Sequence, residues 1–177
     1  VNLFARHIDD LIRNVRSLQA VSWSPVPRWL LQPRNIGGAD TAGVELEARF
    51  RPADLWGSSL PLTVRSNASL FWSRVQGVQG PDNRLDQQPR YTGNLGLDYV
   101  WSPLPLTTGL NLNLTPAFIV RQLDSQIYEQ SRKRVLDAYG LWRFTAQTAL
   151  RLSVSNAMPL DYATATTVLL DDGQQRH

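Results

Sequence analysis

The stretch TTGLNLNLTPAF, Thr107 to Phe118, narrows the possible folds more than any other part of the chain, because Leu110, Leu112 and Leu114 alternate with Asn111 and Asn113. Successive side chains of a β-strand point to opposite faces, so this run lays down one apolar stripe and one amide stripe. A helix, with its 3.6-residue period, would mix the two. Carried from Leu106 to Val120, one face reads Leu, Thr, Leu, Leu, Leu, Pro, Phe, Val and the other Thr, Gly, Asn, Asn, Thr, Ala, Ile. A soluble sheet would bury the first face in a core. An outer-membrane barrel would turn it to lipid and give the second face to its lumen.

Period two recurs along the chain and predicts about seven strand-like segments: Val1 to Val15, Arg28 to Phe50, Leu60 to Val75, Arg90 to Trp101, Leu106 to Arg121, Val135 to Thr145 and Thr148 to Asn156. In GVELEARF, Val44, Leu46, Ala48 and Phe50 oppose Glu45, Glu47 and Arg49. In LRLSVSN, Leu150, Leu152 and Val154 oppose Arg151, Ser153 and Ser155. The connections alternate in length. RPADLWGSS, SPLP and AQ are short, whereas SLQAVSWSPVP, QGVQGPDNRLDQQP, QLDSQIYEQSRK and the tail from Ala157 are long and polar. Short turns at one end and long loops at the other are the layout of an outer-membrane barrel.

Aromatic residues gather where strands approach the short turns: Phe50, then Tyr99 with Trp101, then Trp142 with Phe144. Such a girdle suits the bilayer interface, although aromatics also cap the cores of soluble sandwiches. Pro116 has no N–H to give a paired strand, which predicts a bulge or a position at the outer rim. Asp9 and Asp10 break the alternation of the first segment, as expected where a strand leaves the bilayer.

Composition removes several classes. No apolar run approaches the roughly 18 residues of a membrane-spanning helix, and a mean hydropathy of -0.27 is compatible with alternating strands. The net charge of +3 comes from 18 basic and 15 acidic residues, with Arg scattered and Lys133 the single Lys, which argues against a nucleic-acid surface. No Cys is present, so disulfide frameworks and Cys-based zinc sites are excluded. The opening VNLFARHIDD has neither the charged start nor the apolar segment of a signal peptide, and the chain is expected to be part of a longer protein.

At RNIGGADTAGVELEARFRP, Arg34 to Pro52, the chain resembles TonB-dependent outer-membrane receptors, which often carry an Asn, a Gly and an Ala before Gly-Val-Glu-Leu-Glu and a short turn. Here those are Asn35, Gly37, Ala39, Gly43, Val44, Glu45, Leu46 and Glu47. LFARHIDDLI is similar to the strand before that signature, QQPRYTGNLGLDYVW to a later Pro-Arg strand, and LRLSVSNAMPLDYA to the penultimate strand. The resemblance implies an all-β fold, an antiparallel up-and-down transmembrane barrel of about 22 strands, of which this chain is a partial set. Residues 1–177 are then expected to be the carboxy-terminal portion of the barrel domain, with the plug, the TonB-binding segment and the final aromatic-ended strand outside it. An odd count of strands points the same way, since bacterial single-chain barrels use even numbers.

Nothing in the sequence has the form of an active site, and no cofactor is expected. His7 and His177 are the only His and have no ligand-spaced partners, so no metal centre is predicted; DDGQQRH lacks calcium-loop spacing and reads as a solvated loop. Glu45 and Glu47 share a face, but strand alternation alone produces such pairs. Two groups of candidate residues remain. Trp23, Arg28 and Trp29 in the first long loop, Arg84 in the second, and Tyr128 with Arg132 in the third supply aromatic and cationic groups suited to an anionic, aromatic-bearing ligand such as a ferric siderophore. Interface aromatics and solvated Arg explain the same residues without a ligand. Glu45, Glu47, Arg49, Asn111, Asn113 and Arg151 are expected to face the lumen and a plug.

The resulting expectation is a non-enzymatic receptor in the outer membrane of a Gram-negative bacterium. It would take up a scarce small molecule, its partners being the TonB complex, reached through a plug outside this chain, and outer-membrane lipid. Two other readings fit the same alternation, a passive porin-like or structural barrel and a soluble all-β carbohydrate-binding module. An upstream plug separates the first from the receptor, and folding without lipid or detergent separates the second.

Overall fold

A computed structural model describes residues 1–57, 59–169 and 175–176. The backbone is almost wholly antiparallel β. In chain order the elements are β1 (Asn2–Ile8), β2 (Ile12–Gln19), β3 (Arg28–Asn35), β4 (Ala39–Phe50), α1 (Pro52–Trp56), β5 (Leu62–Val75), β6 (Tyr91–Trp101), β7 (Leu106–Thr115), β8 (Phe118–Leu123), β9 (Gln126–Gln130), β10 (Lys133–Arg143), β11 (Ala149–Val154), β12 (Thr164–Leu169) and β13 (Gln175–Arg176). The main sheet has seven strands in the order β1-β4-β5-β6-β7-β10-β11. It is an open, partial barrel wall, with β1 and β11 as its two ends. No described helix is long and apolar enough to cross a membrane.

Cross-strand partners share a face, so the register assigns every wall residue to one side. Leu95, Leu112 and Leu136 lie opposite one another across β6, β7 and β10, and Leu97, Leu110, Ala138 and Val154 form the next row toward the short turns. Trp101, Leu106, Trp142 and Leu150 make the last row, and Tyr99 meets Trp101 edge-on at 4.9 Å. Much of this face is exposed, to 68 % at Leu152, and Leu97, Leu112 and Leu136 in its middle are partly covered by their neighbours. The aromatic rows stand at the short-turn end, as the sequence predicts.

The first short turn is helical rather than irregular. Pro52 starts α1, where a missing N–H costs nothing, and Gly57 ends it at φ 64°, a conformation a side chain resists. The Arg51 side chain reaches the Asp54 carboxylate at 2.9 Å across this turn.

At the other end three expected strands are each broken in two. The segment from Val1 to Val15 divides at residues 9–11, where the two Asp sit, and the one from Arg28 to Phe50 divides at residues 36–38, where Gly37 takes φ 99°. The segment from Leu106 to Arg121 divides at Pro116 and Ala117, so Pro116 interrupts the strand as its missing donor requires. Beyond these breaks the chain forms two further sheets, the β2-β3 hairpin and a four-stranded sheet ordered β13-β12-β9-β8. QLDSQIYEQSRK is therefore not a loop but carries β9, and the tail from Ala157 carries β12, which pairs with β9. The region read as DDGQQRH lies outside the described residues apart from β13, as does His177.

The apolar residues that are buried lie at this end: Ala39, Val75 and Val78 in one cluster, flanked by Ile8, Leu11, Ile36 and Leu85, and Phe118, Val120 and Leu123 on β8. These folded long loops form a cap over one end of the wall.

Candidate functional site

The polar face of the wall is built as rows that cross the strands. Glu47, Asn67, Asn94 and Asn113 lie opposite one another on β4, β5, β6 and β7. The Asn94 amide donates to Asn111 at 3.1 Å and also to Asn113. One row further, Arg49, Arg65, Gly96, Asn111 and Asp137 line up. Arg65 faces a like charge in Arg49 and turns to Asp98, which it meets at 2.7 Å. The Asp98 carboxylate also accepts the Tyr139 hydroxyl at 2.7 Å, and the Arg151 guanidinium lies 4.3 Å from the centre of the Tyr139 ring.

Gly109 makes that arrangement possible. Tyr139 lies across it on the way to Asp98, and a Cβ at Gly109 would come within 2.1 Å of the ring. Arg65, Asn111, Asp137, Tyr139, Arg151 and Ser153 thus border a recess of about 360 Å³ on the polar face. Glu45 accepts the Asn2 amide at 2.9 Å, and among the described residues no Arg pairs with Glu45 or Glu47. These carboxylates, with Arg49, Asn111, Asn113 and Arg151, share one polar face of the wall, a surface of amides and charges.

The candidate ligand residues fall into three places. At the tip of the β2-β3 hairpin, Arg28 stacks over Trp23 at 5.9 Å and its Nε donates to the Ser24 hydroxyl at 2.9 Å. Trp29 is exposed and opposite Leu18. On β9, Tyr128 is half-buried against Phe118, 6.0 Å between ring centres, and its hydroxyl reaches Gln130 at 3.3 Å. Arg132 is exposed between β9 and β10. Among the described residues no hydrogen bond, ion pair or ring contact joins the hairpin tip to Tyr128 or Arg132.

Arg84 is different. It is 8 % exposed, and its guanidinium donates to the Phe71 carbonyl at 2.7 Å. Burial first, and then the nearby Arg90, pulls its pKa below the ordinary arginine value. It holds residues 76–90 against β5, where the Ser73 hydroxyl accepts the Leu85 N–H at 3.1 Å and bonds Gln88.

One buried group escapes sequence reading altogether. Arg13 on β2 donates to the carbonyls of Arg84, at 2.8 Å, and Gln122, and pairs with Asp86 at 2.8 Å. An Arg in an alternating strand reads as solvated, and no local signal marks it as buried. Away from the cap, His7 pairs with Asp40 at 2.6 Å and approaches Asp9 at 3.4 Å, and among the described residues no three His, Cys, Asp or Glu converge as a metal site would need.

The family model described as TonB dependent receptor-like, beta-barrel, matches residues 1–157. No curated protein and no solved structure matches the chain. The match spans every strand of the wall, whose two faces are sorted as a membrane barrel requires. The chain belongs to the TonB-dependent receptor β-barrel family, a family of outer-membrane transport receptors.

Proposed function

We propose that this chain forms part of the barrel of a receptor that imports a scarce anionic ligand, such as a ferric siderophore, across the outer membrane of a Gram-negative bacterium. The polar rows around Asn94 and Asp98 are the wall against which a plug packs, with Glu45, Glu47, Arg49, Asn111, Asn113 and Arg151 as contacts. The plug lies outside this chain and couples transport to the TonB complex. At the other end, Trp23, Arg28 and Trp29 are the first ligand contacts, joined by Tyr128 and Arg132, while Arg84 supports them from beneath.

The observation that carries this reading is the Arg28–Trp23 stack at an exposed hairpin tip. It presents a cation and an exposed indole to the same solvent, and an anionic ligand with aromatic rings uses both. The test is uptake of radiolabelled ferric hydroxamates and ferric catecholates by cells carrying the full-length receptor, with and without TonB. Uptake that needs TonB and weakens on Arg28→Ala supports the proposal. Uptake that persists without TonB is that of a passive barrel and overturns it.

A further inference from the structure

The cap is held together unevenly. Residues 76–90 are tied to the four-stranded sheet at two places that owe nothing to Arg13: the Gln79 N–H donates to the Asp124 carboxylate at 3.0 Å, and the Arg121 N–H to the Asp82 carbonyl at 2.7 Å. β12 is stitched to the same sheet by the Ser131 and Ser125 backbones. The β2-β3 hairpin has a different attachment. Its internal ladder runs unbroken from Ile12 opposite Asn35 to Gln19 opposite Arg28. Among the described residues, its polar links to the rest of the cap all pass through the Arg13 guanidinium.

The hairpin is also jointed at its base. β1 stops at Ile8 and β4 starts at Ala39, and the connecting residues 9–11 and 36–38 are not strand; the pivot itself is anchored, with the Gly38 carbonyl accepting the Gln76 N–H at 2.9 Å and Leu11 and Ile36 packed against the Val75–Val78 cluster. Gly37 takes φ 99° there, two backbone bonds, Leu11 to Gly37 and Ile36 to Leu11, both 2.9 Å, cross the joint, and the Asn35 side chain at the end of β3 donates to the Asp10 carboxylate and accepts the Gly37 N–H at 2.8 Å. A short pair of segments that absorbs a change in φ and ψ between two rigid ladders is what a hinge requires.

Arg13 lies just beyond this joint, with a side chain only 4 % exposed and an Nε that finds no partner. Burial lowers its pKa more than the Asp86 carboxylate raises it. An incompletely paired buried cation is held at a cost that water would relieve. Asp86 is partly exposed, so water already reaches one side of the pair.

We infer that the β2-β3 hairpin is a hinged arm and that Arg13 is its latch, fastening the arm to residues 76–90 and β8. Release swings the whole hairpin about residues 9–11 and 36–38, with its own ladder intact, and carries Trp23, Arg28 and Trp29 with it. The inference needs no ligand, and it stands or falls separately from the transport reading.

The experiment places spin labels at Ala20→Cys, on the arm, and Ile119→Cys, on β8, in the full-length receptor in detergent micelles. Double electron–electron resonance gives the distance distribution, and hydrogen exchange follows the β2-β3 amides. In the latched protein one distance dominates, and the swung state stays a minor one at about 10 % or less. Arg13→Gln should make a second distance dominant while the β2-β3 amides remain protected. Asp86→Asn, which removes only the ion pair, should shift the populations the same way by less. An unchanged distribution in Arg13→Gln overturns the latch. Loss of protection along β2 and β3 overturns the hinge, because the arm would then unfold rather than swing.

Discussion

The wall and the cap are made of the same antiparallel strands, yet they solve opposite solvation problems. On the wall, Leu110, Leu150 and Leu152 stand exposed on one face, while on the other Asn94 bonds Asn111 and Asn113, and Arg65 pairs with Asp98. In the cap, Val75, Val78 and Val120 are buried and the polar groups are tied down singly, as Asn83 is by the Val75 and Val78 carbonyls at 3.0 and 2.9 Å. The cap folds as a soluble protein does, by removing apolar surface from water. The wall has no such core, because its apolar face is matched to hydrocarbon.

The largest effect should come from the wall. Leu112 lies between Leu95 and Leu136 in the middle of the apolar face. Leu112→Arg should cost about 2–4 kcal/mol at the bilayer midplane, whereas Asn111→Arg, one residue along and on the polar face, should be mild. Reversible unfolding of the full-length receptor in lipid vesicles, with urea, measures both. Equal tolerance would break the division of the wall into a lipid face and a lumen face.

The wall was legible in the sequence for the same reason that it is sensitive to Leu112. A strand with two different solvents writes its period directly into its residues, so all seven wall strands are legible, and Asp9 with Asp10, and Pro116, mark where two of the three long segments break, while the break at residues 36–38, around Gly37, carries no such mark. The cap wrote less. QIYEQ and TATTVL, on β9 and β12, show little alternation, and they become strands through their pairing with each other, a contact between distant parts of the chain. The site residues divide in the same way. Trp23 and Arg28 come together because they are five residues apart on one hairpin tip. Burial of Arg84 and Arg13 depends on three separate segments meeting, which no local pattern announces.

A middle-sized effect should come from the cap. Val120 is fully buried on β8, opposite Tyr128. Val120→Ala removes two carbons from a dry site and should cost the cap about 1.5 kcal/mol at roughly 0.8 kcal/mol for each. Faster hydrogen exchange confined to β8, β9 and β12, with the wall amides unchanged, is the expected reading. If the wall amides quicken as well, cap and wall are one cooperative unit and the contrast between them is structural only.

The effect that is smallest where water is present tests the face of the wall that neither lipid nor a core covers. The Tyr139 hydroxyl donates to Asp98, whose other oxygen holds Arg65 at 2.7 Å, and Arg151 stacks on the Tyr139 ring. Tyr139→Phe keeps the ring over Gly109 and the stack, and takes away one hydrogen bond to a carboxylate. Where water can replace that bond the loss is about 1 kcal/mol, and where Asp98 is left dry it rises to about 3. The same vesicle unfolding assay reads the difference, on the receptor with its plug and on the barrel without it. A loss near the lower figure in both means that the wall is wet at Asp98 whatever fills the lumen. A loss that grows only when the plug is present places the plug against this row, since packing there is what would exclude water from the carboxylate.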